Sequence, residues 1–308
     1  MKRIALLFSG QGAQHVGMSK DLAEVYPSIM EMYNKADVSL QIPFKETCFT
    51  GPEERLTDTS YCQPALYLHG LALLQIIKEK FPSFTFEATA GLSLGEFTAH
   101  AAAGTFSLEE GLTLVAQRGN LMQMACQASN GGMLSLIGAT HEQAEQVARE
   151  SGLEVANYNC PGQVVLSGNK DLMLTAIEIA QKFGIKRAIP LNVAGAYHSS
   201  LMRSAQEAFQ SFVEQTTMKF SPIHVTSNVT GHLVKNVDEI RDVLLRQVTA
   251  SVRWEQCIQT LLHHGITHFI ELGPGKVLAG LCKRIDKNIA CVSIGNLAEL
   301  EGNIHELN

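Results

Sequence analysis

The sequence has no apolar run of bilayer length, no cluster of basic residues, no Cys-x-x-Cys pair, and no internal repeat or low-complexity tract. The first absence speaks against a membrane-spanning chain. Ile4–Phe8, after Lys2-Arg3, imitates a leader, but its apolar run stops at Ser-Gly-Gln-Gly, short of a signal-peptide core. The second absence, with 24 Lys+Arg against 30 Asp+Glu and a net charge of −6, sets the chain against a nucleic-acid backbone. The 7 cysteines are odd in number and mostly lie in apolar stretches, which reads as reduced core thiols in a cytoplasm. His263, His264 and His268 surround a helix end and read as caps or solvated groups, so no metal site is expected. A cytoplasmic protein that binds neither nucleic acid nor membrane is the expectation.

What is present is a chain of 308 residues with 45% hydrophobic and 18% charged positions, enough to bury a sizeable core. Ile4–Phe8 is a continuous apolar run ending in Gly10-Gln11-Gly12, as expected of a buried parallel strand leaving its sheet through a tight loop. Similar runs at Thr85–Ala90, His224–Ser227 and His268–Leu272 are separated by helical patterns, one of them opened by Gln63-Pro64 with proline at its first position. Between about 130 and 190 the rhythm changes. Met133–Ile137, His141–Glu150, Glu154–Tyr158, Gln163–Gly168, Asp171–Phe183 and Ile185–Ile189 follow the βαββαβ order of a ferredoxin-like unit. The expected fold class is α/β. A large α/β-hydrolase-like domain with a mostly parallel sheet, residues 1-129 and 191-308, carries an inserted small ferredoxin-like domain, residues 130-190. Gly131-Gly132 and Pro190 mark its hinges, and the polar tail Glu299–Asn308 is expected to fray.

Gly91-Leu92-Ser93-Leu94-Gly95 is a G-x-S-x-G segment between a strand-like run and a helix-prone stretch that stops at Gly104. It fits a nucleophile elbow, with Ser93 at a helix N-terminus beside free N–H groups, and equally a strand-to-helix turn capped by serine. A serine hydroxyl needs a base. Among 11 histidines the best placed is His198, which follows the loop Ala194-Gly195-Ala196-Tyr197 and precedes a helix whose positive end disfavours imidazolium. Its alternative is a helix-flanking histidine bonded to a local carbonyl. The acids between Ser93 and His198 fall mostly in the small domain or on exposed helices, so a Ser-His-acid triad fits poorly. Ser107-Leu108-Glu109-Glu110 is a capping box opening a helix whose apolar stripe includes Met122. Arg118 flanks that stripe, either as a structural ion pair or as a bidentate clamp on a substrate carboxylate. Gly10-Gln11-Gly12 lacks the third glycine of a dinucleotide loop, where His15 stands, and can instead aim a backbone N–H at the nucleophile; no cofactor is expected. Asn157, Asn159, Gln163 and Gln247 are polar residues in otherwise apolar surroundings.

Taken in order, Phe8-Ser9-Gly10-Gln11-Gly12, Gln63-Pro64-Ala65-Leu66, Gly91 to Glu96, Gln117-Arg118-Gly119, Asn157 to Gln163, Gly195-Ala196-Tyr197-His198-Ser199, Gln247 and Glu271 to Leu278 resemble the malonyl-CoA:acyl carrier protein transacylase family of type II fatty acid synthesis. The resemblance covers nearly the whole chain and includes the small insert. It implies malonyl-CoA and acyl carrier protein as partners, and a ping-pong transfer through Ser93 with His198 as base steered by a backbone carbonyl. The backbone N–H groups of Gln11 and Leu94 would form the oxyanion hole. Arg118 would hold the malonyl carboxylate and Gln247 would orient the site, with Met122, Tyr197, Asn157 and Asn159 as further substrate-binding positions. A monomer is expected. Two positions depart from the family pattern: Leu92 stands where histidine is common before the nucleophile, and Ser9 replaces a common proline.

Overall fold

The computed structural model describes residues 2–307. Its first strand, β1 (Ile4–Phe8), shows why that segment has no polar member: Leu6 and Phe8 enter one core while Ala5 and Leu7 enter another, on opposite faces of one sheet. Helices α1 (Lys20–Val25), α2 (Pro27–Leu40), α3 (Phe44–Thr50), α4 (Glu53–Thr57) and α5 (Thr59–Lys80) follow before the chain returns as β2 (Ala88–Gly91). Next come α6 (Leu94–Ala103), α7 (Leu108–Gln127), β3 (Gly131–Ala139), α8 (His141–Ser151), β4 (Glu154–Cys160), β5 (Gly162–Asn169), α9 (Met173–Lys182) and β6 (Arg187–Pro190). The remainder is α10 (Arg203–Gln215), β7 (His224–Val225), α11 (Val237–Arg246), α12 (Trp254–His263), β8 (His268–Leu272), α13 (Val277–Ile285), β9 (Ala290–Ile294) and α14 (Leu297–Gly302).

Every pairing in the five-stranded sheet, ordered β7-β2-β1-β8-β9, is parallel. The other sheet, β4-β5-β3-β6, is antiparallel and has its own core, in which Leu134, Leu136, Val164 and Leu166 meet Val147 of α8 and Ala176 of α9. The two sheets are joined through backbone. Tyr158 N–H donates to the Val252 carbonyl at 2.9 Å and Val252 N–H to the Ala156 carbonyl at 2.8 Å, so β4 pairs with the segment after α11.

The βαββαβ element order lies where the sequence places it, with boundaries moved by a few residues. Two expectations fail. Pro64 lies inside α5 and does not open it, because the turn before it is already held: Tyr61 and Cys62 donate to the Asp58 carbonyl and Thr59 N–H donates to the Gln123 side chain. The tail does not fray over its described residues. Asn296 caps α14 through Glu299 N–H at 2.8 Å, and Leu300 and Leu307 are buried, two apolar anchors that the polar composition conceals; Asn308 lies outside the described residues. All 7 cysteines are free thiols, and six of them are buried. Among the described residues no helix is long and apolar enough to cross a membrane, and no group of three or more His, Cys, Asp or Glu is placed to hold a metal ion.

Candidate active site

The elbow forms where β2 ends. A Cβ on Gly91 would sit 1.9 Å from the Gly95 carbonyl carbon, and one on Gly95 would sit 2.1 Å from the Phe8 carbonyl oxygen, so only glycine lets α6 start this close to β1. Between them Ser93 takes φ 55°, a conformation strained for a residue with a side chain. Asn228 holds it there: Ser93 N–H donates to Asn228 Oδ1 at 2.7 Å, while Asn228 Nδ2 donates to the Gly91 carbonyl at 2.8 Å.

His198 closes on the serine from the loop after β6. The Ser93 hydroxyl lies 2.8 Å from its Nε2, and its Nδ1 lies 2.8 Å from the main-chain carbonyl of Gln247. A carbonyl can only accept, so Nδ1 carries the proton and Nε2 presents a lone pair to the hydroxyl. Burial first, and then the positive charge of Arg118, push His198 down from the ordinary histidine range to about 4. The ring is therefore a neutral base at neutral pH.

Arg118 reaches the same hydroxyl from α7. Its Nη2 donates to Ser93 Oγ at 3.2 Å and to Gln247 Oε1 at 2.8 Å, its Nη1 donates to Gln63 Oε1 at 2.7 Å, and its guanidinium lies over the Phe97 ring at 5.1 Å. It is 1% exposed, has no carboxylate within salt-bridge distance among the described residues, and leaves Nε without a partner. Burial lowers it to about 10, so the cation persists. A buried guanidinium without an acid beside it is poised for an anionic ligand.

Gln247 sits under all three. Its Nε2 donates to the Ser93 carbonyl at 3.0 Å and closely to Glu96 Oε2, while its Oε1 faces Arg118. The N–H groups of Gln11 and Leu94, beyond the ends of β1 and β2, donate to no other protein group among the described residues. Tyr197 turns its hydroxyl to Thr59 Oγ1 at 2.6 Å and receives Gln11 Nε2 at 3.3 Å; burial pushes it up to about 12. Met122 meets Gln63 Nε2 through its sulfur at 3.5 Å.

The structure thus gathers Ser93, His198, Arg118 and Gln247 at one point; Tyr197 is the chain neighbour of His198, Gln11 reaches the group through Tyr197, and Met122 reaches it through Gln63. Asn157 and Asn159 stay on β4 and hydrogen-bond to none of those four; Asn159 Oδ1 is buried without a partner. Leu92 packs its side chain against the core beneath the parallel sheet. Sequence reasoning missed Asn228, which carries no local signal, and Glu96, whose position three residues after Ser93 is the only hint of its burial beside Gln247.

The chain matches the acyl transferase domain family model over residues 5–302. It is 38% identical over 306 residues to the malonyl CoA-acyl carrier protein transacylase of Bacillus subtilis, covering 98% of this chain and 96% of that one. It is 36% identical over 307 residues to the protein of the same name from Staphylococcus aureus, 98% of each. The chain belongs to the malonyl-CoA:acyl carrier protein transacylase family. Among solved structures, the transacylase of Clostridium perfringens superposes with a TM-score of 0.94 at 33% identity, over 99% of this chain and 97% of that one. A malonyl-transacylase solved with its type II PKS acyl-carrier protein also gives 0.94, at 31% identity, over 99% of this chain and 100% of the other. The present transacylase is an acyltransferase, and its α/β architecture, with one parallel and one separate antiparallel sheet, is that of its structural relatives.

Proposed function

We propose that the enzyme transfers malonyl from malonyl-CoA to the phosphopantetheine thiol of acyl carrier protein by a ping-pong route through malonyl-Ser93, supplying malonyl units for fatty acid synthesis. The observation that carries this reading is the Ser93 hydroxyl with a neutral imidazole nitrogen at 2.8 Å and a buried guanidinium at 3.2 Å. Ser93 Oγ attacks the thioester carbon as its proton passes to His198 Nε2. The tetrahedral oxyanion takes hydrogen bonds from the Gln11 and Leu94 N–H groups. The intermediate expels the CoA sulfur, which leaves with the proton from His198. In the second half the carrier thiol gives its proton to His198 and attacks the ester, and the proton returns to Ser93.

Arg118 pairs with the free carboxylate throughout, and Gln247 fixes Arg118 by its side chain and His198 by its main chain. Tyr197 and Met122 are assigned to the acyl pocket, Tyr197 as the group that excludes a branched acyl chain. Asn157 and Asn159 are proposed as substrate contacts on the sequence motif alone. The β3 to β6 unit is read as a ferredoxin-like domain, residues 130-190, inserted in an α/β-hydrolase-like one; the βαββαβ order and the strand order β4-β5-β3-β6 support that reading. The enzyme is read as a cytoplasmic monomer. Docking of an acidic carrier is assigned to the basic groups Lys186-Arg187, Arg203 and Lys283-Arg284.

Incubation with malonyl-CoA followed by intact mass measurement should show one added malonyl group, absent in Ser93→Ala. Subsequent addition of carrier protein should remove it to the carrier. An unmodified wild type under conditions where the thioester survives sinks the reading, and rapid turnover to free malonate without a thiol acceptor would make the enzyme a hydrolase.

A further inference from the structure

Glu96 is fully buried at the third residue of α6. Its Oε2 accepts from Gln247 Nε2 and, at 3.1 Å, from Asn228 N–H, while its Oε1 has no partner. The Gln247 amide therefore stands between two opposite charges, its oxygen on the Arg118 cation and its N–H on the Glu96 acid. Glu96 and Arg118 feel each other's charge although they form no ion pair. We propose that Glu96 is a positioning residue that serves as the counter-charge of Arg118 in the free enzyme and takes up a proton when the carboxylate of the acyl group arrives on that guanidinium.

The inference rests on the malonyl-transfer reading and extends it. Without substrate, one buried cation and one buried carboxylate balance across the amide. The substrate carboxylate adds a second anion to the same cation in a water-poor site, where a like charge is costly. A proton from solvent on Glu96 restores neutrality and preserves the acceptor for Gln247. The unpartnered Oε1 favours the same outcome, since a bare oxygen is tolerated better on a neutral acid than on a carboxylate. Burial pushes Glu96 up from the ordinary carboxylate range to about 7, with Gln247, Asn228, Arg118 and Ser227 pulling the other way, so the proton is within reach at physiological pH. The other titratable groups facing it do not compete. Cys257, on α12, is pushed up to about 12 and stays a neutral thiol, and His198 is neutral down to about 4.

The test compares wild type with Glu96→Gln, whose neutral amide mimics the protonated acid. The kcat/KM for acylation by malonyl-CoA is measured for both from pH 6 to 8.5. The wild-type to variant ratio should fall more than about tenfold across that range, because kcat/KM reports the titration of the free enzyme. With acetyl-CoA, which brings no carboxylate, the ratio should stay flat. A flat malonyl ratio, or equal slopes for the two thioesters, overturns the proposal. Should the variant not fold, wild type alone gives the answer in weak buffer at pH 8 with an indicator dye: malonyl-CoA should draw protons from solution relative to acetyl-CoA, and equal signals overturn the proposal. Failure of the underlying reading looks different, as no acylation by malonyl-CoA at any pH, and the inference falls with it.

Discussion

Ser93 lies 2.8 Å from His198 Nε2, and Ser19, at the start of α1, lies 2.6 Å from His69 Nδ1 in α5. Both serines have positive φ, 55° and 63°, and burial brings both histidines to about 4. Their surroundings separate them. Ser19 is 1% exposed and its oxygen accepts from the Tyr33 hydroxyl at 2.7 Å, so it is packed where no substrate carbonyl can reach it. Ser93 is half-buried, has Arg118 on its oxygen, and is followed by Leu94, whose N–H donates to no protein group among the described residues. A serine beside a neutral imidazole is thus also a good buried strut. Access, a placed cation and a free amide are what distinguish the Ser93 pair from the Ser19 pair.

Substitutions should pull the two pairs apart. The largest effect is expected for Ser93→Ala, which should lower acylation by malonyl-CoA on the order of 10⁴-fold or more, read as loss of the mass adduct. Arg118→Ala should cost about 3–5 kcal/mol in malonyl acylation, the size of a broken buried charge pair, while narrowing or inverting the preference over acetyl-CoA; an unchanged preference would place the carboxylate elsewhere. Ser19→Ala should invert the pattern, lowering stability by about 1–3 kcal/mol in thermal melts because Tyr33 and His69 lose their partner, with acylation barely altered. Tyr197→Ser should raise methylmalonyl over malonyl transfer, a methyl-sized discrimination of about 1–3 kcal/mol at most.

The smallest effect is one that should be absent. Both histidines are neutral in the fold down to about 4, so acylation by Glu96→Gln, which lacks the buried acid, should show no inflection near the ordinary histidine value of 6.5. Stability should respond there instead. Between 6.5 and about 4 the unfolded chain binds protons that the native state refuses, so stability falls as pH drops through that window, and His69→Gln should reduce the slope in melts run at pH 6.5, 5.5 and 4.5.

Local chemistry carried most of what was legible in the sequence. Period-two and helical patterns with Gly and Pro breaks placed the βαββαβ run, the Ser107 to Glu110 capping box formed as written, and the glycines around Ser93 announced a sharp turn. The helix start at Pro64 was misread because a tertiary contact from Gln123 holds the preceding turn. The second tier of the site was hidden for a related reason. Asn228 joins Ser93 across 135 positions, a separation that no local pattern encodes, and Gln247, 154 positions away, is reached only through the family resemblance. Glu96 stands in the first turn of a helix, a place where acids are ordinarily solvated, and only the packing of α6 shows that it is fully buried.

The strand pairing between β4 and the Val252 segment bears on how this site answers mechanical disturbance. Gln247, whose carbonyl steers His198, lies five residues before Val252, while β3 begins against the His198 loop: a Cβ on Gly131 would come within 2.5 Å of Ala196 N. The imidazole and its tautomer-setting carbonyl are therefore held from two sides, by the antiparallel sheet through Val252 and Gly131, and by the parallel one through the Gln247 amide on the Ser93 carbonyl and on Glu96. A disturbance of either sheet reaches the hydroxyl and its base together.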